Sequence, residues 1–300
     1  PTLPRNDASM DSTPDKNWRT VRFDVLERID RMPSLSAVIH EFLELSMRDM
    51  FSATDFEKVI AKDQALVARL LKVANSGLYG RSRSIASIAE AVVLVGLENL
   101  KRIVFAVTTE GLTRRKLVHY DYHDQGGFWL HSMGVALAAR TFAEAARSSA
   151  IRPEEAFVGG LLHDVGKLVI DEFLEADAVG KVTKRQEIAA IGLDHAELAE
   201  YILNQWNLPE PVTRAVRHHH SGLDDPANFE GGLILGLAEK VCDVWGFGRH
   251  LAVDLSTDVP LEPFADVLAR LGIGAGRWDQ LVWDIRQHLS GCEELYRLDA

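Results

Sequence analysis

The chemistry-bearing feature of this sequence is His163-Asp164, which follows the apolar run Phe157-Val158-Gly159-Gly160-Leu161-Leu162 and precedes Val165-Gly166-Lys167-Leu168-Val169-Ile170. With apolar residues on both sides, at least one of the pair must point inward, and a buried carboxylate without a partner is costly. A metal ion, which imidazole nitrogen and carboxylate oxygen both ligate, or a buried ion pair resolves that cost. Further side chains able to bind metal recur at about one site per expected helix: His131, His195, the run His218-His219-His220, and Asp243. A helical bundle builds a metal centre in its core from such a set, contributed by separate helices. Taken singly, each has a plainer reading. His131, behind Phe128-Trp129-Leu130, reads as a satisfied semi-buried ring, and His195 as a solvated residue at a helix start. The histidine run suits the negative end of a helix dipole, and Asp243 a solvated face. Lys167 is the candidate cation for a phosphate oxygen, with Arg217 and Lys240 as weaker ones, although Lys167 could equally cap a helix C-terminus.

Helices must position these groups, because helical periodicity dominates from Trp18 onward and strand alternation is scarce. Residues 52–74 carry a helical stripe with a break near Asp63, which predicts two short helices. The pattern restarts over 87–100, where Gly96 marks a helix end or a close crossing, and continues over 102–117. The segment from His119 to Gly127 is polar, aromatic and Gly-containing, and reads as the boundary between two helical halves. In the second half, helices are expected near 128–148, 153–173, 195–206, 209–220, 233–245, 261–271 and 277–295. Pro153, Pro209 and Pro263 suit first turns, where a missing N–H costs nothing. Residues 1–17 lack apolar periodicity and read as a disordered lead-in or linker.

Composition narrows the function classes. At 300 residues, 47% apolar and 26% charged, the chain is that of a globular protein. Its net charge of −11 argues against general nucleic-acid binding. No apolar run approaches the ~20 residues that span a bilayer, and no signal-peptide layout opens the chain, so the expectation is a cytoplasmic protein with no membrane association. Cys242 and Cys292 have no zinc-type spacing and read as free thiols.

With these residues in view, the sequence resembles the HD superfamily, named for its metal-binding His-Asp pair. His163-Asp164-Val165-Gly166-Lys167 matches the HDxGK signature of its cyclic-dinucleotide phosphodiesterase branch, and the separation of 32 positions from His131 to His163 is of family size. More specifically, residues 25 to about 245 resemble the HDOD domain, the HD-related output domain of bacterial signalling. Arg31-Met32-Pro33-Ser34-Leu35, Ile60-Ala61-Lys62-Asp63-Gln64, Leu70-Leu71-Lys72-Val73-Ala74-Asn75-Ser76 and the stretch from Ser87 to Gly96 carry the likeness in the N-terminal half. Trp206-Asn207-Leu208-Pro209 and the following His pair carry it in the C-terminal half.

The resemblance implies an all-α fold in which an N-terminal helical subdomain (18–120) packs on an HD-type metal-binding bundle (121–250), with C-terminal flanking helices over 251–300. It also implies a divalent metal pair, iron favoured and manganese or zinc as alternatives. His131, His163, Asp164 and Asp243 would surround one ion, and His195, His219 and His220 the other, with Asp164 bridging; the family pattern selects His219 and His220 over His218. Two departures stand out: the stretch Ser221-Gly222-Leu223-Asp224-Asp225-Pro226 after His220 has no Glu and no Gly-Tyr-Pro loop, and Gly127 replaces a Glu sometimes found one turn before the first His. These argue against a trinuclear site and against cyclic di-GMP as substrate. The expected function is a bacterial signal-transduction output or regulatory module, working with a signalling partner or an upstream receiver or sensor. The alternative is a metal-dependent phosphohydrolase or phosphodiesterase acting on a nucleotide or cyclic dinucleotide, a phosphate-containing ligand that Lys167 would contact while Asp164 served in catalysis.

Overall fold

The computed structural model describes residues 18–32, 37–46, 52–75, 85–113, 116–123, 126–146, 150–175, 182–221, 223, 229–249 and 253–290, and every regular element among them is helical. Helices α1 (Trp18–Asp30) and α2 (Ala37–Ser46) open the fold. The expected break at Asp63 separates α3 (Ala53–Ile60) from α4 (Gln64–Ala74) because both helices have side-chain caps. Ser52 and Asp55 form a capping box, and the Asp63 carboxylate accepts from the Leu66 N–H at 3.0 Å. Ser87 caps α5 (Ile88–Val95), and Gly96, at φ 89°, turns the chain into α6 (Leu97–Thr113). Within this half Phe42 packs between Phe56 and Phe105, with ring centroids at 5.8 and 4.9 Å.

The centre of the second half is α7 (Gly127–Ala145), apolar over most of its surface and buried along most of its length, as a core helix must be. It packs against α8 (Pro153–Leu162), with Pro153 in the first turn. The single helix expected over 153–173 is broken: α8 stops before His163, a turn carries His163 to Gly166, and α9 (Lys167–Ile170) runs into a 3-10 turn at Asp171–Phe173. The apolar sequence alone would continue the helix, but tertiary contact overrides it. The carbonyl oxygen of His195 lies only 2.2 Å from where a Cβ on Gly166 would stand, so only glycine lets the chain at His195 pack this close to the turn.

Next comes α10 (Lys184–Ile191), a short polar helix that the periodicity did not reveal, and then α11 (His195–Gln205), opened by a capping box of Asp194 and Glu197. The helix expected over 209–220 ends earlier: α12 (Glu210–Arg217) leaves all three histidines in the turn that follows. Helices α13 (Glu230–Val244), α14 (Ala265–Arg270) and α15 (Trp278–Ser290) complete the structure, and both α13 and α15 pack on α7. The parts of the expected helices beyond Ser290, and residues 147–148, lie outside the described residues.

One core runs through both halves, since Phe105 of α6 meets Phe157 of α8 at 5.5 Å. The connector between the halves is fastened by Asp171, whose carboxylate accepts from the Val118 and His119 N–H groups at 2.9 Å each. Although α1 precedes the N-terminal helices in sequence, its principal contacts are with α9 and α10 of the second half. Arg28 and Glu172 form an ion pair there.

Candidate metal centre

Four of the histidines are locked from behind. The Nδ1 atoms of His131, His163 and His219 lie 3.2, 2.7 and 2.6 Å from the carbonyl oxygens of Phe247, Gly160 and Val216. A carbonyl can only accept, so each Nδ1 carries a proton, and Nε2 is the ring atom left to face the centre. His195 is held differently: its Nδ1 donates to the Glu187 carboxylate at 2.8 Å, and its own N–H donates to the same group at 2.9 Å. Burial lowers the pKa of His131 and of His219 well below the ordinary histidine value, which keeps those rings neutral. Burial and the neighbouring His219 push His220 down to about 2.

The Nε2 atoms of these rings converge on Asp164, which is fully buried. Its Oδ2 lies 3.2 Å from His163 Nε2 and 4.0 Å from His131 Nε2, while its Oδ1 lies 3.4 Å from His195 Nε2 and 4.0 Å from His219 Nε2. Ligand atoms assemble into two groups: His131, His163, Asp164 and Glu239, and His195, His219 and His220. The donor set fits metal. Nε2 of His131, His163 and His219 and Oδ1 of Asp164 are buried with no hydrogen-bond partner, and such orphaned atoms are rare and costly in a finished core. Two ligands each ~2.0–2.2 Å from one cation stand roughly 3–4 Å apart, the range of these separations. His195 Nε2 and His220 Nε2 face each other at 2.8 Å, which needs a proton or a cation between the two lone pairs.

Asp164 stays charged. Burial alone would raise its pKa, but His163 and Lys167 outweigh that and hold it well below the usual carboxylate range. Lys167 Nζ donates to Asp164 Oδ2 at 2.5 Å and the Tyr122 hydroxyl to the same oxygen at 2.7 Å. Burial and the Asp164 charge push the Tyr122 phenol well above its ordinary value, so it remains a donor.

Of the residues singled out from sequence, the structure gathers His131, His163, Asp164, His195, His219 and His220 at this centre. Asp243 is not among the converging ligand atoms. Its Oδ1 accepts from Arg249 Nε at 2.7 Å, and the carboxylate that α13 contributes is Glu239, one turn earlier. His218 turns to Ser221, with Nδ1 3.3 Å from Oγ. Arg217 is paired with Glu197 at 2.9 Å, and Lys240 lies exposed. Sequence reasoning passed over Glu239, Glu187, Tyr120 and Tyr122. The two tyrosines had one available signal: they alternate across Asp121, so an extended connector puts both on one side.

A helical bundle whose core holds a His-Asp pair among further histidines defines the HD class of protein. The HDOD domain family model matches residues 32–222, and the chain belongs to the HDOD family. An uncharacterized protein of Treponema pallidum (strain Nichols) is 27% identical over 207 residues, which are 66% of this chain and 39% of that protein. The chain thus spans about two fifths of that relative's length. An HDOD domain protein of unknown function from Geobacter sulfurreducens has a TM-score of 0.67 at 23% identity, over 92% of this chain and 97% of that one. A Shewanella amazonensis SB2B protein, described provisionally as a phosphohydrolase, has a TM-score of 0.61 at 20% identity, over 89% of this chain and 98% of that one. These likenesses establish the fold. Among the described residues no helix is long and apolar enough to cross a membrane.

Proposed function

We propose that the chain is a regulatory module of bacterial signal transduction whose core holds a pair of divalent metal ions. The observation that carries the reading is Asp164, whose Oδ2 faces one ligand group and Oδ1 the other, as a bridging carboxylate would. His131, His163 and Glu239 would complete the first position, and His195, His219 and His220 the second. The imidazole-rich set without cysteine suits iron, manganese or zinc.

A metal pair can polarise a phosphate and activate water, so a phosphohydrolase is the competing reading. One observation favours it: the His220 side chain is 30% exposed, so the second position has access to solvent. The cation arrangement weighs the other way. Lys167 is 6% exposed and engaged by Asp164 and by Tyr122, whose hydroxyl is 3.2 Å from Nζ, so it serves the carboxylate instead of reaching toward a ligand. Arg217 is engaged by Glu197. The module reading therefore assigns the metals to holding the C-terminal bundle in one conformation, for display to a protein partner.

The test is elemental analysis of protein purified anaerobically without chelator, followed by a generic phosphodiester assay. About two metals per chain, the count of a two-metal centre, with no hydrolysis above that of His163→Ala, is the expected result. Hydrolysis that disappears in His163→Ala would establish the enzyme instead. No metal after reconstitution with iron, manganese and zinc would remove the metal centre from the reading.

A further inference from the structure

We propose that Glu187 is the positioning residue for the second metal position, acting through His195; the inference rests on the two-metal reading above. Glu187 is 1% exposed and sits on α10, outside the His-Asp motif. Three donors converge on its carboxylate: the Tyr120 hydroxyl at 2.9 Å, the His195 N–H at 2.9 Å and His195 Nδ1 at 2.8 Å. His131, His163 and His219 are each held by a neutral carbonyl, so His195 alone among these four rings has a full negative charge behind it.

Charge balance explains why that ring should differ. The first ligand group includes the Glu239 carboxylate and faces Oδ2 of Asp164. The second consists of three histidines and shares only Oδ1 of Asp164. Glu239 approaches that group only at His220 Nδ1, 3.5 Å away. A cation among neutral rings is poorly compensated, and a carboxylate hydrogen-bonded to a ligating imidazole fixes its tautomer and raises its donor strength. Glu187 thus provides the second position with charge at one remove, and Tyr120 holds the carboxylate in place.

The experiment titrates metal-free protein with zinc against a chromophoric chelator, comparing wild type with Glu187→Gln, which keeps the size and one acceptor oxygen but loses the charge. Wild type is expected to take up two zinc ions. The variant should keep the first with unchanged affinity and bind the second at least about tenfold more weakly. Two sites of unchanged affinity in the variant would overturn the proposal and leave the two-metal reading standing. Equal weakening of both sites would also overturn it, since a merely structural clasp acts that way. Wild type binding fewer than two zinc ions would overturn both. If the variant does not fold, ring NMR of zinc-loaded wild type decides. The Nδ1 proton of His195 should lie downfield of those of His131, His163 and His219, because it alone makes a charge-assisted bond; a shift no different from theirs overturns the proposal.

Discussion

Asp164 is the residue around which the centre is arranged: a fully buried carboxylate, it answers to Lys167, Tyr122 and four imidazoles at once. Asp164→Asn keeps the shape and removes the charge, which leaves the Lys167 ammonium buried without its counter-ion. Breaking a buried pair from one side costs about 3–5 kcal/mol, so urea denaturation of the metal-free variant should show a loss of that size, and metal uptake should vanish from both positions. The buried state of the His163-Asp164 pair was legible because apolar residues flank it on both sides. The partner carboxylate on α13 was not. Glu239 and Asp243 are four residues apart and share one helix face, so periodicity cannot rank them. The choice depends on how far α13 is slid along α12, a tertiary quantity.

At the scale of elements, two close approaches set the geometry: α11 crossing Gly166, and the turn after α12 crossing α13. A Cβ on Gly236 would stand 2.3 Å from the His219 carbonyl oxygen. Gly236→Ala should therefore push the histidine turn off α13, lowering stability by about 1–3 kcal/mol and weakening metal binding at the His195, His219 and His220 group more than at the other. Gly274→Ala, where a Cβ meets nothing within 4 Å, is the matched control and should change chemical denaturation by less than about 0.5 kcal/mol. Caps made the helix starts at Ala53, Gln64 and Ile88 readable, since Ser52, Asp63 and Ser87 announce them. Helix α10 is not legible in the sequence because Lys184-Arg185-Gln186-Glu187 gives it a polar first half, and its one deeply buried charge, Glu187, looks like surface until His195 and Tyr120 are placed beside it. The break at the His-Asp pair was hidden for a similar reason: nothing in the local apolar pattern records the arrival of α11.

For the whole molecule, the continuous core through Phe105 and Phe157 implies that the two halves melt together. A metal that binds only the folded form adds about 2.7 kcal/mol when its free concentration is a hundred times its Kd. Chelation should accordingly lower a single thermal transition, as followed by circular dichroism, without splitting it in two. A further consequence comes from where α1 rests. Its two supports, α9 and α10, carry Lys167 and Glu187, one gripping the central carboxylate and the other gripping His195. The opening helix therefore sits like a hand on two levers, and linkage is reciprocal: whatever tightens one end must tighten the other. Loading the centre with zinc should slow amide hydrogen exchange along α1, and a load that draws α1 away from its supports should in turn loosen the grip on the ions. Exchange along α1 that is indifferent to zinc would mean that the levers are not connected.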